Sequence, residues 1–187
     1  IDAALMAAPA GVLYGARYVP SRLAYHVLDD APPYAAMMRA AVAQFPDSYV
    51  DMTSVTRDRT RALFQVVSDR DAGTFYLYDA RDGSFKRVLR SRRWLDPQRL
   101  AGVSPVDIVA RDGAALRGFL TLPHDATTPG PMIVMPHGGP HGASDNPLFD
   151  ETAQLFAQYG YAVLKVNYRG SAGYGRRFLA AGFGQWG

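Results

Sequence analysis

The sequence has 187 residues, of which 48% are hydrophobic and 20% charged, a balance typical of a globular protein and not of a disordered or fibrous chain. Cysteine is absent, which excludes disulfides and thiolate metal sites, and the net charge is only +3. No apolar run approaches the roughly 18 residues that a membrane-spanning helix needs, so no such helix is expected.

The first residue is Ile1 and not methionine, so we expect a piece of a longer protein, whose own targeting segment would not be visible. A chain without cysteine suits both the cytoplasm and the periplasm, and of the two we expect the cytoplasm.

Arginines carry nearly all of the positive charge, and the densest cluster comprises Arg87, Arg90, Arg92 and Arg93. Such a cluster indicates a nucleic-acid contact when aromatic residues or a known recognition motif accompany it. Neither is present here, so the pattern favours a solvated strand edge, where charge blocks pairing with another chain. We therefore expect no nucleic-acid partner.

Residues 12–100 have the pattern of short strands separated by closely spaced turn signals. The last four predicted strands form two successive hairpins, with Asp82-Gly83 at one turn, which is typical of one four-stranded propeller blade. Residues 33–45 interrupt the strands, because their apolar residues recur every three and four positions, as on an amphipathic helix. The predicted strands are residues 12–19, 22–28, 49–55, 62–68, 74–79 and 85–89, with a Pro20-Ser21 turn after the first.

From residue 106 the pattern changes to that of a mixed α/β region. Residues 106–110 and 115–122 predict a hairpin, and the wholly apolar residues 131–136 predict a strand buried on both faces. A helix over 148–159, with Asn146 and Pro147 at its start, precedes a further apolar strand at 161–167. This strand–helix–strand order predicts a parallel pair with a right-handed crossover. The boundary between the two regions is expected within residues 96–105.

The loop after the strand at 131–136 reads His137-Gly138-Gly139-Pro140-His141. Two glycines let backbone N–H groups approach a ligand closely, and such groups can stabilise an oxyanion on a substrate carbonyl. α/β-Hydrolases place one such donor between the third strand and the first helix, often in an HGGG-like motif. A tight turn without chemistry is the alternative. A zinc site from the two histidines is disfavoured, because ligands four residues apart normally lie on a helix, which Gly-Gly-Pro prevents.

A second glycine-rich loop, residues 167–175, follows the strand at 161–167. Open α/β sheets place their sites at the carboxyl ends of strands, so this loop is also a candidate. It lacks the Lys-Ser/Thr pair of a phosphate-binding P-loop, and we expect no cofactor and no metal ion.

Five motifs in this region are HGGPH at 137–141, AVLKVN at 162–167, YRGS at 168–171, GYG at 173–175 and GQWG at 184–187. Together they resemble the prolyl oligopeptidase family of serine peptidases, in particular its acylaminoacyl-peptidase and dipeptidyl-aminopeptidase branch. Members of this family join a β-propeller to a C-terminal α/β-hydrolase domain. The resemblance implies that residues 1–100 are the end of the propeller, with one inserted helix. Residues 101–187 would be the N-terminal part of the α/β-hydrolase domain, truncated before the nucleophile.

The same resemblance assigns roles to four residues of this chain. It makes the backbone N–H of Gly139 the first candidate for an oxyanion donor and that of Gly138 the second. Prolyl oligopeptidase and dipeptidyl peptidase four have a tyrosine where this chain has His137. The His137 ring could donate to the substrate in its place, but a brace for the turn is the favoured role. Arg169 is expected to pin its loop through carbonyls or a carboxylate, with lining of the site as the alternative.

Hydrolases of this fold carry their nucleophile in GxSxG, followed by the acid and the histidine. No GxSxG occurs here, and the nearest segment, residues 142–146, lacks the final glycine. We therefore expect all three triad residues beyond Gly187. Because no Ser–His pair is expected within these residues, the chain alone is predicted to be inactive and to need the rest of its protein to complete the fold.

The resemblance implies a function as well as a fold. It implies a serine peptidase that hydrolyses oligopeptides through an acyl-enzyme, as an aminopeptidase or acylaminoacyl-peptidase. An esterase of the same fold and a non-catalytic propeller protein that binds a partner are the alternatives. A homo-oligomer is compatible with the sequence.

Overall fold

The computed structural model describes residues 3–7, 11–19, 23–29, 33–139 and 141–185. These residues divide into two compact units, and the division falls between Asp96 and Pro97. The predicted Pro20-Ser21 turn lies outside the described residues. None of the helices within the described residues has the length and apolarity needed to cross a membrane.

The first unit begins with a three-stranded antiparallel sheet in the order β1-β2-β3. The sequence analysis predicted the second and third strands but missed the first, whose alanine-rich sequence has little β-propensity. The strands are β1 (Ala3–Ala7), β2 (Val12–Tyr18) and β3 (Ala24–Val27).

Helix α1 (Tyr34–Gln44) supplies five of the eleven buried residues in the core cluster of the first unit and confirms the helix predicted at 33–45. Its apolar face is buried together with side chains from the strands before and after it, among them Tyr14 and Phe64. A helix packed this way is stabilised mainly by burial, to which its alanine-rich sequence adds favourable intrinsic propensity. The buried residues of the helix are Tyr34, Ala35, Met37, Met38 and Ala41.

Four further strands form an antiparallel sheet in chain order, as the two predicted hairpins require. The Asp-Gly turn has Gly83 at φ +73°, a conformation that favours glycine. Arg87 is exposed on the last strand, which lies at the edge of the sheet. The strands are β4 (Tyr49–Val55), β5 (Arg61–Val67), β6 (Thr74–Asp79) and β7 (Ser84–Arg90).

We expect the first unit to lose stability at alkaline pH, because two of its tyrosines have raised pKa values. Burial, with a smaller contribution from the Asp51 charge, raises the pKa of Tyr14 to about 12, and burial also raises that of Tyr25 to about 12. In the unfolded chain both ionise near pH 10, so stability is intact below about pH 10 and is lost as the pH rises towards 12. We expect Tyr14→Phe to match the parent protein in melting temperature at pH 7 and to exceed it at pH 11.

Tyr25→Phe is the matched control for that comparison, because the Tyr25 hydroxyl accepts a 2.6 Å hydrogen bond from the Val50 N–H. Losing that partner lowers stability at both pH values. The Tyr14 hydroxyl has no hydrogen bond with the described residues, so its removal isolates the titration. Equal alkaline losses in Tyr14→Phe and in the parent protein would contradict the assignment.

The second unit is a four-stranded sheet in the order β10-β11-β9-β8, preceded by a short 3-10 helix at Pro97–Arg99. The hairpin is antiparallel, while β10 and β11 run parallel on either side of α2 in the chain, as predicted. α2 packs against β11 and β9. The elements are β8 (Val103–Val109), β9 (Ala115–Thr121), β10 (Met132–Val134), α2 (Glu151–Gln158), β11 (Ala162–Asn167) and α3 (Arg176–Ala180).

The predicted start of α2 at residue 148 is wrong. The helix begins three residues later, and its N-cap is Asp150, whose carboxylate accepts a 2.9 Å hydrogen bond from the Ala153 N–H. Asn146 instead accepts from the Leu148 N–H within the preceding turn. Both residues are good caps, and only tertiary packing decides between them.

Two expectations about the strands of this unit are also wrong. β8 begins at Val103 and includes Pro105, which was placed in the boundary; an edge strand tolerates proline, because one side of it needs no ladder hydrogen bond. β10 is not buried on both faces, since Met132 and Val134 are more than half exposed. It lies at the opposite edge of the sheet and pairs only with β11 within the described residues.

Candidate functional site

The loop that follows β10 presents two exposed glycines at the carboxyl end of the strand. Gly139 has φ +150°, and a Cβ placed there would lie 3.1 Å from the His141 backbone nitrogen. Within the described residues, the N–H groups of Gly138 and Gly139 donate no hydrogen bond. Two exposed donors without partners at a strand end are what an oxyanion site requires.

The His137 ring is held on three sides. Its Nδ1 lies 2.7 Å from the Gly138 carbonyl oxygen, and its Nε2 lies 2.7 Å from Ser171 Oγ. The ring stacks on Tyr168 with 4.4 Å between centroids, and the Tyr168 hydroxyl donates to the His137 carbonyl at 2.8 Å. Ring and backbone of His137 are therefore fixed together by the residues that follow β11.

These contacts constrain which nitrogen of the His137 ring carries a proton. A carbonyl oxygen can only accept, so the hydrogen bond to Gly138 requires that Nδ1 carry a proton. In the neutral ring Nε2 is then an acceptor, and the single proton of the Ser171 hydroxyl can go either to Nε2 or to the Tyr168 carbonyl, which also lies 2.7 Å from Oγ. Both nitrogens of the His137 ring are thus engaged within the protein, which favours bracing over donation to a substrate.

The second glycine-rich loop forms main-chain hydrogen bonds with the two residues that directly follow the first loop. The Gly142 N–H donates to the Gly170 carbonyl at 3.1 Å, and the Ala172 N–H donates to the Ala143 carbonyl at 2.9 Å. The two candidate loops of the sequence analysis therefore form one structure at the end of β10 and β11.

Asn167, the last residue of β11, is fully buried and also holds the two loops in place. Its amide accepts from the Asp145 N–H at 2.7 Å and donates to the Asp145 carbonyl at 3.0 Å. The same amide donates to the Tyr174 hydroxyl at 2.8 Å. A buried amide that satisfies both backbone groups of a loop residue fixes that loop strongly.

A buried lysine lies beside this amide. Lys165 Nζ donates to Asp150 at 2.5 Å and lies 3.9 Å from Asp145 Oδ1. Burial acts to raise the pKa of Asp150, but the hydrogen bonds from Lys165 and the Ala153 N–H and the charge of Lys165 together outweigh it and hold that pKa below its usual value. Burial raises the pKa of Asp145 despite the lysine. Asp150 therefore links the N-terminus of α2 to the inward face of β11.

The Arg169 side chain reaches the turn between β8 and β9. Its Nη1 donates to Asp112 Oδ2 at 2.7 Å. The pKa of Asp112 is lowered, first by the hydrogen bond from the Ala114 N–H and then by Arg169. The sequence predicted that Arg169 pins its loop through carbonyls or through a carboxylate, and Asp112 is a carboxylate partner. That Arg169 pins the loop stays a prediction.

The expectation that no Ser–His pair forms within these residues is wrong, because His137 and Ser171 are hydrogen bonded. The pair does not have the geometry of a nucleophile and its base. Ser171 is fully buried, and the histidine Nδ1 faces a carbonyl where a triad has a carboxylate. Ser144, in the segment nearest to GxSxG, is exposed but has no hydrogen bond to a histidine within the described residues.

Over the described ranges, no group of three or more His, Asp or Glu side chains could hold a metal ion. The two loop histidines contact different partners, since His141 packs edge-on against Phe183 with ring centroids 4.8 Å apart.

Sequence reasoning missed several polar residues that build this site. Lys165 and Asn167 were treated as parts of an apolar strand, although a charge and an amide at alternate positions of β11 share its buried face. Ser171 was noted only as part of a motif. Two polar residues spaced two apart in a strand predicted to be buried were the signal, since each requires a partner.

Part of this chain matches the model of a known protein family. Residues 147–187 match the model of the prolyl oligopeptidase family. The chain is 38% identical to dipeptidyl aminopeptidase BIII of Pseudoxanthomonas mexicana over 120 residues, which is 60% of this chain and 17% of that protein. It is 52% identical to the human acylamino-acid-releasing enzyme over 46 residues, or 25% of this chain and 6% of that enzyme.

Solved structures show the same fold over most of the chain. A puromycin hydrolase aligns with a TM-score of 0.61 and 25% identity over 88% of this chain and 25% of its own. The acylaminoacyl peptidase of Pyrococcus horikoshii aligns with a TM-score of 0.52 and 24% identity over 71% of this chain and 21% of its own. The chain thus spans a quarter or less of the length of each relative named here.

Proposed function

We propose, on the premise that residues 147–187 are prolyl oligopeptidase family sequence, that this chain is part of a serine peptidase acting on oligopeptides. The relatives named dipeptidyl aminopeptidase and acylamino-acid-releasing enzyme support removal of N-terminal dipeptides or acylated residues. The observation that carries the proposal is the exposed glycine loop at the carboxyl end of β10. Residues 142 and 143, which follow this loop, are hydrogen bonded to Gly170 and Ala172 in the matched segment.

We also propose how the two units belong to the whole protein. The four-stranded meander β4–β7 is one blade at the end of a β-propeller, because each strand pairs with the next in chain order. The second unit is the N-terminal part of an α/β-hydrolase domain. The parallel pair β10–β11 supports this, with α2 between its strands in the chain and the glycine loop at its carboxyl end.

In the proposed mechanism this chain supplies electrostatic stabilisation and not the nucleophile. A serine from the rest of the protein attacks a peptide carbonyl, and negative charge develops on the carbonyl oxygen. The Gly139 N–H, with Gly138 as second donor, stabilises that oxygen as it forms. His137 and Arg169 hold the two loops in place without touching the reacting atoms.

Active-site labelling of the full-length protein tests the proposal. We expect a serine-directed fluorophosphonate to label one serine outside residues 1–187 and to abolish hydrolysis of a dipeptide or acyl-amino-acid p-nitroanilide. The isolated chain should show neither labelling nor turnover, because the one Ser–His pair among the residues that the structure describes includes a fully buried serine.

Substrate comparison separates the alternatives. An enzyme that cleaves p-nitrophenyl esters but no peptide substrate would be an esterase of the same fold. A full-length protein that is folded but neither labelled nor active would be a non-catalytic propeller protein. Labelling of Ser144 or Ser171 would show that the nucleophile lies within this chain and would contradict the mechanism.

A further inference from the structure

We infer that Ser171 is a positioning residue that aims the oxyanion donor, acting through the His137 ring and the Gly138 carbonyl. The inference rests on the proposed role of the Gly139 N–H and names the residues that orient it. Ser171 lies in the loop after β11, so the residue that aims the donor comes from a different segment from the donor itself.

One peptide plane links the His137 ring to the proposed donor. The Gly138 carbonyl and the Gly139 N–H belong to the same planar trans peptide, in which oxygen and hydrogen point in opposite directions. The His137 Nδ1 binds that carbonyl at 2.7 Å. Holding the oxygen towards the ring therefore directs the Gly139 hydrogen away from the ring.

Tyr168 and Ser171 together hold the His137 ring in its orientation. Glycines on both sides of this peptide impose no side-chain restraint, so without the ring the plane could rotate. Stacking on Tyr168 fixes the plane of the imidazole but leaves it free to turn within that plane. The 2.7 Å contact between Nε2 and Ser171 Oγ removes that freedom.

Burial and contacts with the Tyr168 carbonyl hold Ser171 in place. Ser171 is fully buried, and its Oγ lies 2.7 Å from the Tyr168 carbonyl as well as from the ring. Its backbone N–H also donates to the Tyr168 carbonyl, at 3.0 Å. The hydroxyl has one proton and donates to only one of these two acceptors at a time, but burial and the backbone hydrogen bond fix the position of its oxygen, which serves as a reference for the ring.

The test is Ser171→Ala in the full-length enzyme, measured with a peptide p-nitroanilide. We expect kcat to fall by about 10- to 100-fold, less than for loss of a donor, with KM changed by less than about twofold, because misdirection weakens stabilisation of the transition state alone. Ser144→Ala, at an exposed position of the neighbouring loop, is the matched control and should leave both constants unchanged. An unchanged kcat in folded Ser171→Ala would overturn the inference.

A double-mutant cycle separates this role from general loss of structure. His137→Phe retains an aromatic ring over Tyr168 but removes both nitrogens, so Ser171→Ala should have no further effect on kcat in that background. Additive effects would show that Ser171 acts by another route. If Gly139→Pro retains activity, the proposed donor fails; if only Gly139→Pro is impaired, the donor stands and the role of Ser171 fails.

A measurement on the unmutated enzyme is decisive even if the variants do not fold. Nitrogen-15 NMR of the labelled histidine should show the neutral His137 ring protonated at Nδ1, as the bond to the Gly138 carbonyl requires. A neutral ring protonated at Nε2 would leave that carbonyl unheld and would overturn the inference.

Discussion

Replacing Gly139 with proline in the full-length enzyme is expected to lower kcat by about 100- to 1,000-fold, which is about 2.7–4 kcal/mol of transition-state stabilisation. Proline has no N–H, so the proposed donor is lost. KM should change little, because the N–H stabilises the charge that develops during the reaction. Steady-state kinetics on a peptide p-nitroanilide measure both constants.

Backbone strain is the competing explanation, and Gly139→Ala controls for it. Gly139 has φ +150°, which neither alanine nor proline adopts readily, and a Cβ there lies 3.1 Å from the His141 nitrogen. Alanine carries the strain but keeps the N–H, so its kcat should fall well short of the loss in the proline variant. Equal losses in the two folded variants, with unchanged melting temperatures, would assign the effect to strain and contradict the donor role.

Replacing Lys165 with methionine is expected to destabilise the second unit by about 2–4 kcal/mol, somewhat below the cost of breaking a fully buried pair, since the Asp150 side chain is 32% exposed. Methionine fills much of the same space but leaves Asp145 and Asp150 without a compensating charge. Because large multidomain proteins do not unfold in one step, the change is best measured as hydrogen exchange in peptides that cover α2 and β11.

The only other lysine of the chain provides a matched control. Lys86 is exposed on the edge strand β7, so Lys86→Met should change the stability of its own strand by less than about 0.5 kcal/mol. Adding Asp150→Asn to Lys165→Met should recover part of the loss, because asparagine caps the helix equally well and removes one stranded charge. If Lys165→Met costs no more than Lys86→Met, the ion pairs do not stabilise the fold.

The elements with strong periodicity were predictable from the sequence. The helix at 33–45 and the four strands from Tyr49 to Arg90 were found because burial imposes repeats of three to four and of two residues on their apolar side chains. The start of α2 was not, because Asn146 and Asp150 are both competent caps and only packing against β11 selects the second.

The candidate site was likewise predictable from the sequence only in part. The glycine loop was predictable, since a motif and its place after a strand agree. The residues that hold the loop were not, because Asn167, Lys165 and Ser171 act through partners distant in sequence, among them Asp145 and His137. Local patterns report which faces are buried, but the pairing of buried polar groups is settled only when strands take their order in the sheet.

The most direct test of the oxyanion assignment is a crystal structure of the full-length enzyme with a phosphonate bound covalently to its nucleophile. The phosphonyl oxygen stands in for the oxyanion of the tetrahedral intermediate. We predict that this oxygen lies about 2.7–3.1 Å from the Gly139 nitrogen, with the Gly138 carbonyl still bound by the His137 ring. A phosphonyl oxygen held only by other donors, with the Gly139 N–H directed elsewhere, would contradict the account.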